Sequence, residues 1–87
     1  MKLENGVWKY VFVSGEYRFV HSLDFGKNHA SLVKKGETAI SAGTINVKGN
    51  LFQFVSHGSM TLNVDSRDED TTELEKILGI PRNDMGC

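Results

Sequence analysis

Eighty-seven residues make one domain with no room for a second core, so residues 1–87 are read as a single unit near the lower limit of independent stability. Cys87 is the only cysteine; this excludes an internal disulfide and a thiolate zinc cluster, and suits a reducing cytoplasm. The net charge of −1 hides a split, with seven Lys/Arg against four Asp/Glu in residues 1–50 and three against seven in residues 51–87.

The basic residues are scattered rather than gathered into a stripe that could release counterions. Nucleic acid is therefore a disfavoured partner, with Lys34, Lys35 and Lys48 as the nearest approach to a patch. The opening "MKLENGVWK" lacks the apolar stretch of a signal peptide, and no run approaches membrane-spanning length. A cytoplasmic protein without a membrane contact is expected. Association with a second copy is the usual support for so small a core, and the opposed charges of the two halves favour a homodimer.

Taken in chain order, "VWKYVFV" (residues 7–13) carries Trp8, Tyr10 and Phe12 on one face and Val7, Lys9, Val11 and Val13 on the other, as a central strand does. Ser14-Gly15 reverses the chain into "EYRFVHS", the second arm of a hairpin. "NHASLVKKG" reads as a short helix over 29–35 between Asn28 as N-cap and Gly36 as C-cap, with an edge strand as the alternative. A strand over 39–48 follows, and Gly49-Asn50 turns it into "LFQFVS". His57-Gly58 reverses again into "SMTLNV", where Met60, Leu62 and Val64 alternate with polar residues, so 39–64 reads as a three-stranded meander. Leu74, Ile77 and Leu78 then recur at helical spacing. The helix, about 68–78, has competing capping boxes at Ser66/Glu69 and Asp70/Glu73 and a stop at Gly79 before Pro81. The tail 82–87 is expected to be mobile. The predicted fold is α+β: an antiparallel meandering sheet of about five strands with the C-terminal helix on one face.

Five groups of residues invite a functional reading. His21, Asp24, His29 and Ser31 could supply a base, its orienting carboxylate and a nucleophile, or share a metal, yet they meet no zinc, nucleophile-elbow or phosphate-loop spacing. Ordinary turn and capping chemistry accounts for them and is the favoured reading, with His29 and Ser31 the better candidates if chemistry is present. The acids of "DSRDED" fail the calcium-loop frame, since the twelfth position from Asp65 is Lys76 and from Asp68 is Gly79. A helix start accounts for them without metal. His57, flanked by hydroxyls in "SHGS", is either a turn residue or an exposed binding histidine. Trp8, Tyr10 and Phe12, with Phe52 and Phe54, are core if the helix lies over them and a partner surface if it does not. "SAG" (Ser41, Ala42, Gly43) inside a strand marks a bulge or a close approach by a ligand or second chain.

The stretch "HASLVKKGETAISAGTINVKGNLFQFVSHGS" resembles a module with H-x-S-L, then Gly, then A-G-[TE]-I, then V-x-G and a Ser/Gly-rich turn. This pattern occurs in small uncharacterised bacterial, phage and mobile-element proteins and in the tails of some bacterial effector-like proteins. His29, Ser31, Leu32, Gly36, Ala42, Gly43, Ile45, Val47 and Gly49 carry it. Where the pattern closes on Ser-Gly-His-Tyr, this chain has Ser56-His57-Gly58-Ser59, without the aromatic. The resemblance implies a shared fold and draws attention to His29 and Ser31; it implies no reaction. Two functions are expected in turn: a self-associating, non-enzymatic accessory module that pairs through an uncovered sheet face, or a small hydrolase or ligand-binding protein built on residues 21–31. Neither calls for a cofactor.

Overall fold

A computed structural model of the chain describes residues 3–22, 29–59 and 62–82. The fold is α+β. Strands β1 (Gly6–Val13), β2 (Glu16–His21), β3 (Ala39–Lys48) and β4 (Leu51–Ser56) form an antiparallel sheet in the order β2-β1-β3-β4. Strands β5 (Gly58–Ser59) and β6 (Val64–Asp65) form a separate two-stranded ladder, and helix α1 (Asp68–Leu78) follows. No helix among the described residues is long and apolar enough to cross a membrane.

The hairpins form where the turn residues require them. Ser14 and Gly15 both take positive φ (53° and 75°), which matches the twist of β1 and β2. Pairing of Trp8 with Ile45 and of Val47 with Phe52 puts Trp8, Tyr10, Phe12, Ile45, Val47, Phe52 and Phe54 on one face of the sheet. Helix α1 lays Leu74 and Leu78 on that face, and Tyr10, Ile45, Val47 and Phe52 complete a buried cluster. Burying a side chain such as Phe52 or Leu74 contributes about 2–3 kcal/mol. The helix stops at Gly79, whose left-handed φ of 70° lets its N–H bond the Glu75 carbonyl.

Its start is a different matter. The cap falls on neither expected box but between them, at Arg67: the Asp70 carboxylate accepts the Arg67 backbone N–H at 3.0 Å, and the Arg67 carbonyl accepts the Asp70 N–H at 3.0 Å.

The opposite face is covered by other means. Val11, Val13 and Ala42 are buried there beneath Leu32, Val33, Leu62 and Val64. The segment expected as a helix over 29–35 is a single 3-10 turn, His29–Leu32, and the expected N-cap Asn28 lies outside the described residues. Arg18 and Glu37 hold it down. Their side chains pair bidentately at 2.7 and 2.9 Å, Arg18 also bonds the Leu32 carbonyl, and Glu37 accepts the Lys34 N–H and the Ser14 hydroxyl.

The third arm of the expected meander folds back on itself. Asn63 takes a left-handed φ of 55°, so Leu62-Asn63 is a turn and Val64–Asp65 pairs with Gly58–Ser59 rather than extending one strand. Met60, expected on its buried face, lies outside the described residues. Arg82, expected in a mobile tail, forms a parallel bridge with Phe52, whose N–H bonds the Pro81 carbonyl at 3.2 Å; residues 83–87, Cys87 among them, lie outside the described residues.

Candidate functional site

The residues expected to act together at 21–31 are dispersed. His21 ends β2 opposite Trp8 and stacks edge-on against it, ring centroids 4.7 Å apart, on the face that α1 covers. Gly6 faces the same ring so closely that a Cβ there would stand 2.9 Å from His21 Nε2. His29 lies across the sheet from it. Ser31 is exposed on the 3-10 turn, and Asp24 lies outside the described residues. No base–carboxylate–nucleophile arrangement is built from them among the described residues, nor does any group of three or more His, Cys, Asp or Glu stand close enough to hold a metal.

His29 does reach a concavity, but with different companions. It lines a cleft of about 480 Å³ with Thr44, Ser56, His57, Gly58, Ser59, Asn63, Val64 and Asp65. The 3-10 turn, β3, β4 and the β5–β6 ladder converge on it. The 3-10 turn supplies His29, and β3 supplies Thr44, which pairs with Ser56 on β4. The β3–β4 ladder shifts register just there, leaving Val55 as the extra residue. The bulge turns the chain through Ser56 and His57 into β5, and the β5–β6 ladder supplies Ser59, Asn63 and Asp65. Gly58 permits the closure, since a Cβ on it would lie 2.9 Å from the Val64 carbonyl oxygen and from Asp65 Oδ1.

Two polar side chains of the cleft are almost wholly buried, His29 at 8% and Ser59 at 7% exposure. His29 Nε2 lies 2.7 Å from the Gly43 carbonyl oxygen. A carbonyl only accepts, so Nε2 carries the proton and Nδ1 is the acceptor of the neutral ring. Burial pushes the His29 pKa down and the nearby Lys9 charge adds to this; both outweigh the Gly43 bond, and the ring is neutral at pH 7. Ser59 Oγ accepts the Leu62 N–H at 3.3 Å, which leaves its O–H to donate. At the mouth, His57 stacks on Phe54 at 4.9 Å and its Nδ1 lies 3.3 Å from Ser66 Oγ. Among the described residues of the lining, Asp65 supplies the one permanent charge.

The most densely bonded group in the molecule is elsewhere. Asp70 is fully buried between α1 and the sheet, and accepts hydrogen bonds from Tyr10 Oη (2.9 Å), Tyr17 Oη (2.7 Å), Ser41 Oγ (3.1 Å) and Arg67 N, Nε and Nη2 (3.0, 3.1 and 3.0 Å). Burial alone would raise its pKa, but these donors together hold it below the ordinary carboxylate range. Burial and the neighbouring carboxylate push the Tyr10 and Tyr17 hydroxyls far up. With its lone pairs engaged, Asp70 pins helix to sheet and is not a base. Its position in "DSRDED" reads as a solvated helix start, and no signal in that string marks it as buried.

The aromatic stripe offered as a partner surface is the floor beneath α1. Tyr10 is wholly buried, Trp8 packs on the core and donates Nε1–H to the Glu4 carbonyl, and Phe12 lies 4.5 Å beneath the Arg67 guanidinium. The close approach read from "SAG" is internal as well. A Cβ on Gly43 would stand 2.7 Å from the Tyr10 ring and 2.9 Å from the Ser56 carbonyl oxygen. Exposed apolar side chains occur instead on β4, at Leu51 and Val55, and at Ile40 on β3. Lys34, Lys35 and Lys48 are exposed, the first two just after the 3-10 turn and the third at the β3–β4 turn. No family model, no curated protein and no solved structure matches this chain.

Proposed function

We propose that this chain is a small cytoplasmic binding module, without enzymatic activity, that takes a small polar ligand in the cleft between His29 and the β5–β6 ladder. One observation carries the reading. A buried neutral histidine and a buried serine, brought together from separate elements, line the same concavity, each with a hydrogen-bonding function that no side chain among the described residues takes up. Such groups are costly to bury unless the site is used or hydrated. The scattered positions of His21 and Ser31 favour binding over hydrolysis.

The test is to locate binding directly, by recording amide chemical shifts of the full chain against a library of small polar fragments. The expected result is that responses cluster at Thr44, Ser56, Ser59 and Asp65. Responses confined to β4, or to the groove beside Phe12 and Tyr17, would overturn the assignment.

Self-association is a second reading, and β4 favours it. This strand is an edge of the sheet, and Leu51 (39%) and Val55 (57%) are exposed on it. A homodimer would form through this outer surface and not through Trp8, Tyr10 and Phe12.

A further inference from the structure

We infer that the ligand of the cleft is an uncharged, hydroxyl-rich compound of the sugar class, bound through an alcohol that spans His29 and Ser59. The inference rests on the binding reading above and specifies its chemistry. His29 Nδ1 is an acceptor, because Nε2–H is spent on the Gly43 carbonyl. Ser59 keeps its O–H to donate while its oxygen accepts the Leu62 N–H. A group that satisfies both must donate and accept at once, which an alcohol does. A carboxylate oxygen has no proton for Nδ1, and an ammonium group has no lone pair for the Ser59 O–H.

The rest of the lining fits the same chemistry. Thr44 and Ser56 add hydroxyls, Asn63 an amide and Asp65 a carboxylate, the planar side chains that pair with neighbouring alcohols. Among the described residues no lysine or arginine lines the cleft, and Lys9, whose charge reaches His29, stands outside the lining; a bound anion would face Asp65. Val64 is the one apolar residue among the described lining, too little for a lipid or an aromatic drug-like ligand. A volume of about 480 Å³ admits a monosaccharide unit with its bridging waters.

The experiment titrates the full chain, by amide chemical shift, with four separate probes: D-ribose, methyl β-D-glucopyranoside, inorganic phosphate and tetramethylammonium. The expected result is saturable movement of the Thr44, Ser59 and Asp65 signals with at least one of the two sugars, at millimolar affinity typical of one sugar unit, and none with the two ions. Ser59→Ala should weaken that binding about fivefold or more. Thr44→Val, which keeps the shape of the side chain and removes only a hydroxyl, should weaken it by a similar factor and guards against a folding defect in the first variant. Saturation by phosphate or tetramethylammonium would overturn the sugar class and leave the cleft as a binding site. Silence from all four probes, with fragments still mapping to the cleft, would likewise overturn the class alone. Silence from probes and fragments together would overturn both.

Discussion

Asp70 and His29 show how one buried polar residue can serve opposite ends. Asp70 collects six donors and has none of its bonding capacity left for a ligand. Removing its charge strands the Arg67 guanidinium and two tyrosine hydroxyls, and Asp70→Asn should lower stability at pH 7 by about 2–4 kcal/mol in urea unfolding. The sign with pH follows from the depressed carboxyl. Its contribution is complete above the ordinary aspartate value of about 3.9 and is lost as pH falls through the lower folded-state value. The gap between native chain and variant should therefore close in acid; a gap that does not narrow as pH is lowered past the ordinary aspartate value would contradict this account. Glu37, held well below the usual range by Arg18, loses its contribution in the same direction. His29 differs in keeping one nitrogen uncommitted.

Among the elements, the 3-10 turn that carries His29 depends on the Arg18–Glu37 clamp more than on its own hydrogen bonds. The clamp joins β2, the Leu32 carbonyl and the Lys34 N–H, and it is shielded from solvent by its own chain. Glu37→Gln keeps the shape and removes the charge. It should leave global stability nearly unchanged and raise hydrogen exchange at the Val33 amide, which bonds the Ala30 carbonyl, about tenfold. Unchanged exchange there would mean that packing of Leu32 and Val33 alone seats the turn. The clamp also explains what local patterning conveys and what it does not. Residues 7–13, 39–48, 51–56 and 68–78 are legible because alternation, two-residue turns and helical spacing are local. The 29–35 stretch carries helical caps, but its conformation is decided by Arg18 from β2. In "SMTLNV" the alternation is genuine, yet Asn63 breaks it, and the left-handed tolerance of asparagine outweighs a two-residue extension of a strand.

At the scale of the whole molecule, the sheet is covered on both faces by unlike means, α1 on one and the 3-10 turn with the β5–β6 ladder on the other. The aromatic stripe of β1 is equally consistent with core and with interface in the sequence. Only the side on which α1 lands decides it, and that depends on contacts such as Tyr10–Asp70 that join distant parts of the chain. The same holds for the cleft, where His29 and His57 belong to separate motifs and meet only because the Val55 bulge redirects the end of β4. The edge of that strand is bridged by Arg82 at Phe52, and Leu51 and Val55 stay exposed on either side of the bridge. If copies associate, Leu51→Lys with Val55→Lys should return a sedimenting dimer to the monomer mass without loss of helical signal. A native chain that sediments as a monomer at about 1 mM removes self-association from the account.

The protonation of one ring bears most directly on the cleft. Long-range nitrogen–proton NMR of the imidazole ring distinguishes the two neutral forms of His29. The structure requires a proton on Nε2 and a bare Nδ1 at neutral pH, with titration below the ordinary histidine value of about 6.5 because the buried ring resists charge. A proton on Nδ1, or a ring already charged at pH 7, would break the Gly43 anchor or remove the acceptor, and with it the basis for a ligand alcohol in this cleft.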